Sequence, residues 1–434
     1  MNLIAGRLLS DAEARSQLEK LDALILETHQ GGPLPVDRVI AACDALSGQL
    51  NEADHLGLLV NLGMPEEKAR RELALVKRMM RRDWLERRLQ IEFGASPPDT
   101  KTFIPLGQDR PVRQAWKPLG TLLHIAAGNV DALPVFSVIE GLLTGNINLL
   151  KLPGAEAGLS IAILNQLMEI EPAIIPYVFV FDTPSTDLVA MERMAACADA
   201  IVVWGGDAAV SAVRKLARPD TRIIEWGHKI SFAYVSGGAI ANEVIFDAEL
   251  EGIAYNICDT EQLLCSACQG IYLDTNCFDV VVQFAQRFLE ILNASAIRMP
   301  ARPDPYLAAQ KTLELYTEDL ESLKTQKRVF RGSHASVIAY ADSALHPSHM
   351  FRNPWVKPLP QKDLLAELLP YKNHLQTAAL VCSPEDKPAL EALVEKTGVV
   401  RLTSGAAMST IYCGQPHDGQ FPLRRYMKIM SYEY

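Results

Sequence analysis

The sequence predicts an α/β protein: a helical N-terminal region, a doubly wound parallel sheet, and a second α/β region after it. Three observations carry this prediction. Helical patterning fills roughly the first hundred residues. From residue 118, short apolar runs rich in β-branched residues alternate with helical stretches of about 10–15 residues. Near residue 236 a similar alternation begins again. Strand, helix, strand at such spacing is the pattern of a parallel sheet covered on both faces, and right-handed crossovers make it doubly wound.

In chain order, Ser10 followed by Glu13 forms a capping box before the helix AEARSQLEKLDALIL. A second helix is expected through VDRVIAACDALSGQL, and a third, long and mixed in charge, through EEKARRELALVKRMMRRDWLERRLQIEF. Its arginines interleave with acidic residues, which reads as a solvated face. GASPPD then breaks the pattern. The expected strands of the first sheet are GTLLHIA (120–126), INLLKL (147–152), YVFVF (177–181), AIVVW (200–204) and RIIEW (222–226). In the second region QGIYLD, HASVIAY and TAALVCS read as strands, FDVVVQFAQRFLEIL and PALEALVEKTG as helices, and NPWVKPLPQ as a loop or an edge strand. These transitions divide the chain into 1–97, 98–235, 236–405 and 406–434, with the last segment returning to the core or forming an oligomer interface.

Composition narrows the class. Of 434 residues, 49% are hydrophobic and 22% charged, which excludes a disordered or fibrous chain. A net charge of −10 argues against nucleic acid as a partner, because phosphate-backbone affinity comes from basic residues. The apolar stretch in MNLIAGRLLSDAEA is too short and interrupted for a signal peptide, and the longest apolar run, Pro172–Phe181, is far below a bilayer span. A cytoplasmic, soluble protein is expected. The eight cysteines (Cys43, Cys197, Cys258, Cys265, Cys268, Cys277, Cys382 and Cys413) are too sparse for a disulfide scaffold, yet four crowd into 258–277.

Ligands of an open parallel sheet bind beyond the carboxyl ends of its strands, so the residues after each run matter most. Neither G-x-G-x-x-G nor a P-loop occurs. Gly205-Gly206 follows AIVVW and opens a helix, placing backbone N–H groups where a phosphate or a nicotinamide can sit; a simple tight turn is the alternative. Asn129 follows the first strand, where its amide can donate to an oxyanion or merely make an Asx turn. Lys151 ends the second strand, as a ligand contact or a solvated strand end. Glu225, near the end of the fifth, is a base for a thiol or half of an ion pair. Cys265, just before QGIYLD, is a nucleophile or a buried inert thiol. Cys265-Ser-Ala-Cys268 is also a C-x-x-C redox candidate, whereas zinc would need a second pair that the irregular spacing of Cys258 and Cys277 does not supply. Singly, each position has an ordinary structural explanation; together they fall at one predicted edge.

The order Asn129, Lys151, Gly205-Gly206, Glu225, Cys265 is similar to the motif order of the aldehyde dehydrogenase superfamily. The resemblance is closer to its LuxC-type acyl-CoA reductase branch, which supplies aldehyde in bacterial luminescence. The matching motifs are Gly141-Leu142-Leu143-Thr144-Gly145-Asn146, Gln262-Leu263-Leu264-Cys265-Ser266, Leu375-Gln376-Thr377, and His417-Asp418-Gly419 with Leu423. The likeness covers about residues 100–434. It implies an aldehyde dehydrogenase-like fold, with a dinucleotide-binding domain over 98–235 and a catalytic domain over 236–405.

The same resemblance implies the roles. Cys265 is the nucleophile, Asn129 the oxyanion donor and Glu225 the base. Lys151 and Gly205-Gly206 hold the cofactor, and Gln262, Cys268 and His417 contact substrate or support the site; no metal is implied. The reaction implied is reduction of an acyl thioester, acyl-CoA or acyl-protein with fatty acyl among the candidates, to an aldehyde through an acyl-cysteine. The alternatives are NAD(P)-dependent oxidation of an aldehyde to an acid, and a catalytically silent scaffold. An acyl-protein synthetase partner and a homo-oligomer also follow by analogy.

Three departures stand out. The ribose-holding E-x-F-G-P is missing, and NPWVKPLP occupies that general stretch. The acidic residue usual three after the lysine is Gly154, which points to NADPH, with NADH as the alternative. The proline usual after the cysteine is Cys268, a second thiol.

Overall fold

The apolar runs become strands because β-branched side chains fit the pleat and because both faces of each run are covered. The computed structural model describes residues 1–61, 63–95, 100–126, 132–154, 158–240, 243–301 and 305–434, with the side chains of 52–54, 243–246 and 305 set aside. It divides into two compact units, Met1–Gly227 with Tyr412–Tyr434, and His228–Ile411.

In the first unit a seven-stranded sheet runs in the order Arg7–Leu9, Asn2–Ile4, Val178–Phe181, Ile147–Lys151, Thr121–Ile125, Ala200–Trp204, Arg222–Trp226. The last five are parallel, and the two N-terminal strands add antiparallel at one edge. All five expected strands are present. The order reverses between Ile147–Lys151 and Ala200–Trp204, on either side of Thr121–Ile125. This is the topological switch at which such sheets bind ligands, beyond their carboxyl ends. A three-stranded antiparallel sheet, Met427–Tyr432, Val112–Pro118, Thr100–Phe103, belongs to the same unit.

The N-terminal helices share one core with this sheet: Ile40, Cys43, Met80 and Leu89 pack in a cluster with Leu149 and Val180. Ser10 and Glu13 make the expected capping box on the helix Asp11–Glu19. The expected first helix is two, Asp11–Glu19 and Leu21–Gln30, and the long third helix is also two, Glu66–Met80 and Arg82–Phe93. The last pair parts at Arg81, whose extended backbone (φ −65°, ψ 147°) leaves the helical basin. The strands Asn2–Ile4 and Arg7–Leu9 were not expected; at three residues each they are too short to show a periodicity.

The second unit holds another seven-stranded sheet, ordered Lys327–Arg331, Ser336–Tyr340, Trp355–Pro358, Cys268–Leu273, Ile230–Val235, Leu375–Val381, Arg401–Thr403. All neighbours are parallel except the hairpin Lys327–Arg331/Ser336–Tyr340. The NPWVKP stretch is thus an interior strand, not the loop or edge strand expected. Its prolines bracket the strand instead of interrupting it: Pro354 offers its carbonyl to Ile338 N–H (3.1 Å), and beyond Pro358 the ladder resumes with Leu359 N–H on Leu273 O (2.8 Å). Gly270 makes room for the buried Trp355, whose ring atoms would lie 2.0 Å from a Cβ there. No helix among the described residues is long and apolar enough to cross a membrane.

Candidate active site

The nucleophile candidate sits in a loop between the helix Glu243–Thr260 and the strand Cys268–Leu273, in the second unit. The chain leaves the helix through two non-glycine residues in the left-handed region, Glu261 (φ 51°) and Gln262 (φ 60°). Each such residue costs roughly 1–2 kcal/mol, so the surroundings must hold it there. Gln262 is 1% exposed and its side chain is a strut. Its Nε2 donates to the Cys268 carbonyl (2.9 Å), its Oε1 accepts from Asn353 N–H (2.9 Å), and its own carbonyl accepts from Gln269 Nε2 (2.9 Å). The carboxylate of Glu261 is gripped by the buried Arg352 at 2.6 and 3.0 Å.

Three residues further on, Cys265 is partly exposed. Its carbonyl accepts from Ser231 Oγ (2.6 Å), which in turn accepts from Thr377 N–H (3.0 Å). Thr377 closes the Leu375-Gln376-Thr377 motif, so through Ser231 that motif reaches the backbone of the cysteine. Ser266 Oγ lies 3.0 Å from Ser409 Oγ, which accepts from Asn256 Nδ2 (2.8 Å), and Asn256 Oδ1 accepts from Cys268 N–H (2.9 Å). The loop is therefore tied at 261, 262, 265, 266 and 268.

Cys268 differs from Cys265. It is fully buried in the core with Ile253, Ile257 and Ile271, and burial pushes its thiol up to about 12. Its Sγ donates to Gly270 O (3.2 Å). Cys258 is likewise buried and raised to about 12, and Cys277 is exposed; neither Cys265 nor Cys268 is in a disulfide. Cys268 therefore packs in the core of the second unit.

The remaining candidates lie in the first unit, except Asn129, which lies outside the described residues. Lys151 ends its strand 4% exposed, and Nζ donates to Ser185 Oγ (2.9 Å) in the loop after Val178–Phe181. Burial lowers its pKa, and nearby Asp182 opposes that shift. Gly205 takes the turn tightly: its N–H reaches Trp226 O (3.2 Å), and a Cβ there would come 3.0 Å from the Ala209 methyl. Gly206 is the N-cap of the helix Asp207–Leu216 with no side-chain cap, and open space surrounds it. Uncapped first-turn N–H groups are suited to an anion.

Glu225 is held by Arg214 through two bonds (2.6 and 2.9 Å), the ion-pair arrangement weighed above as its ordinary role. His417 lies edge-on to Trp204 and Trp226, with centroids 4.9 and 4.8 Å away. The Asp418-Gly419 pair has positive φ at both residues (47° and 74°) between the bonds His417 N–H to Gln420 O and Gln420 N–H to His417 O, which is the I′ hairpin pattern. In Gly141-Leu-Leu-Thr-Gly-Asn146, a Cβ on Gly141 would lie 1.7 Å from Asn148 Oδ1, and Asn146 bridges Gly120 N–H and Tyr426 O. Turn geometry in the first motif, and close packing with the Asn146 and Asn148 side chains in the second, give both a structural role. Arg352, Asn353, Asn256 and Ser409 carry no motif that flags them in the sequence; they bond to loop residues 12 to 143 positions away.

The model of the family described as acyl-CoA reductase (LuxC) matches residues 33–429. A long-chain acyl-protein thioester reductase 2 from Photobacterium leiognathi is 24% identical over 73% of this chain and 64% of its own length. A long-chain acyl-protein thioester reductase from Photorhabdus laumondii is 25% identical over 76% and 66%. The chain thus spans a little under two thirds of these relatives. Among solved structures, an NAD-dependent aldehyde dehydrogenase from Sinorhizobium meliloti aligns over 100% of this chain and 94% of its own, at 15% identity and a TM-score of 0.75. A lactaldehyde dehydrogenase aligns over 100% and 95%, at 14% identity and 0.74. The fold is that of the aldehyde dehydrogenases, and the chain belongs to the LuxC acyl-CoA reductase family.

Proposed function

We propose that this chain reduces an acyl thioester, carried on CoA or on a protein, to an aldehyde through an acyl-Cys265 intermediate. The observation that carries the reading is Cys265 itself: a partly exposed thiol, on a loop tied at five points, in a member of the LuxC family. The names of the curated relatives place the acyl group on a protein in those proteins.

The Cys265 thiolate attacks the thioester carbonyl, a new C–S bond forms, and the bond to the carrier sulfur breaks, so the carrier leaves as a thiol once protonated. The resemblance assigns the oxyanion to the Asn129 amide and a backbone N–H near Cys265, and such donors are each worth roughly 3–4 kcal/mol of barrier. The uncapped turn at Gly205-Gly206 and the fixed ammonium of Lys151 fit a nicotinamide dinucleotide, and these residues would hold it. When bound, that group supplies hydride to the acyl carbon. Cys265 then leaves as the aldehyde is released. No water attacks in this sequence, so no base for hydrolysis is required. The engagement of Glu225 by Arg214 supports reduction over oxidation to an acid, which would need such a base.

NADPH is the cofactor we favour. Among the described residues nothing lies within 4 Å of a Cβ at Gly154, and a glycine at that position carries no carboxylate of its own to repel a 2′-phosphate, although Asp182 near Lys151 works in the opposite direction. Gly154→Glu is expected to move the ratio of kcat/KM from NADPH toward NADH by about tenfold, the equivalent of 1.4 kcal/mol; an unchanged ratio removes Gly154 as a determinant. An acyl-protein synthetase as donor and a homo-oligomer belong to the same proposal, and light scattering with and without such a donor tests both. The test of the reaction is NADPH consumption over a panel of acyl-CoA chain lengths, with aldehyde as the product. Acid formed from aldehyde and NADP⁺ without CoA, and no aldehyde from any thioester, would reverse the reading.

A further inference from the structure

We infer that Arg352 is a positioning residue for Cys265, acting through Glu261 across 91 residues of sequence. The inference rests on the reading of Cys265 as the nucleophile. Three consecutive non-glycine residues, Met350, Phe351 and Arg352, have φ of 57°, 48° and 70°. They face the left-handed pair Glu261 and Gln262, and the two segments are bonded at three levels. Phe351 N–H donates to Glu261 O (2.9 Å), Asn353 N–H donates to Gln262 Oε1 (2.9 Å), and the Arg352 guanidinium grips the Glu261 carboxylate. Arg352 is 4% exposed, and its remaining donors go to the carbonyls of Ala296 (3.3 Å) and Met299 (2.7 Å), at the end of the helix Phe278–Arg298.

Five residues in a sparsely populated backbone region, concentrated in two short segments bonded to each other, mark a place where the surroundings dictate the chain path. That path ends at Cys265, whose carbonyl is fixed independently by Ser231. With both ends of the 261–265 stretch held, the backbone that presents the thiol is fixed. Nε and Nη2 of the planar guanidinium converge on Glu261 Oε1 while Nη1 and Nη2 reach two backbone carbonyls; an ammonium cannot span these positions, so Arg352→Lys keeps the charge and loses the geometry.

Orientation matters to one reaction of this thiol more than to another. Attack on a thioester needs the sulfur aligned with the carbonyl and its oxyanion donors, whereas alkylation by iodoacetamide needs only access and a thiolate. The experiment therefore compares the two on the full-length chain, using radiolabelled tetradecanoyl-CoA and iodoacetamide, in wild type, Arg352→Lys and the milder Glu261→Gln. Acylation of Cys265 is expected to slow roughly 10- to 100-fold in the variants. Its alkylation is expected to stay near the wild-type rate, while Cys258 and Cys268, buried in the core of the same unit, stay unlabelled as they would not in an unfolded chain. Acylation at the wild-type rate in both variants overturns the inference. So does a parallel fall of acylation and alkylation, which marks a collapsed loop instead of a misaimed thiol. Acylation that persists in Cys265→Ala overturns the nucleophile reading, and the inference with it.

Discussion

Burial and partners, more than identity, separate the two cysteines of C-x-x-C: Cys265 is partly exposed on the tied loop, and Cys268 is a core thiol pushed up to about 12. The same logic applies to His124, fully buried between Ser137 Oγ (2.6 Å) and Asn148 Oδ1 (2.9 Å). Burial pushes its imidazole down to about 4 from the ordinary 6.5, so the folded chain keeps it neutral. The unfolded chain takes up a proton below pH 6.5 that the fold refuses until about pH 4. The stability from this group is therefore complete above pH 6.5 and is lost as pH falls toward 4, by roughly 3 kcal/mol at most. The urea-stability gap between wild type and His124→Gln is expected to shrink from pH 7.5 to pH 4.5; a constant gap would show that His124 does not titrate with folding.

The elements around the site show what the sequence made legible. The five parallel strands were readable because each is a β-branched apolar run closed by a turn. The Gly205-Gly206 turn was readable because it joins such a strand to an amphipathic helix. Trp355–Pro358 was not, because its prolines suggest an edge until one sees that they lie at the strand's two ends. At the site, Cys265 and Gln262 stood in a motif, yet the work of Gln262 as a strut depends on Asn353, which only the fold brings near. Gln262→Ala leaves Asn353 N–H without this acceptor and the Cys268 carbonyl without this donor, in a buried setting. A loss of roughly 2–4 kcal/mol is expected in chemical denaturation; a loss under about 0.5 kcal/mol, typical of surface changes, would mean the loop holds without it.

Across the whole molecule, the C-terminal residues complete the first unit. Tyr426 is fully buried in a cluster with Leu122, Val202 and Trp226. Its carbonyl accepts from Asn146 Nδ2 (3.0 Å) and Leu119 N–H (3.2 Å). Leu423 N–H donates to Glu92 (2.9 Å), a carboxyl raised to about 7 by burial. The strand Met427–Tyr432 pairs with Val112–Pro118 of its own chain. Tyr426→Ala is expected to cost roughly 3–5 kcal/mol, read as a lower thermal midpoint with lost cofactor binding above it; an unchanged midpoint would show that the segment is not part of the folding unit.

The most direct test is to mix the protein with an acyl-CoA in the absence of nicotinamide cofactor, quench in acid, and map the adduct by peptide mass spectrometry. The acyl mass is expected on the peptide carrying Cys265 and is expected to disappear, with release of aldehyde, when NADPH is added before the quench. An unmodified Cys265 with the acyl group on another residue, or an adduct that NADPH does not discharge, would contradict the account.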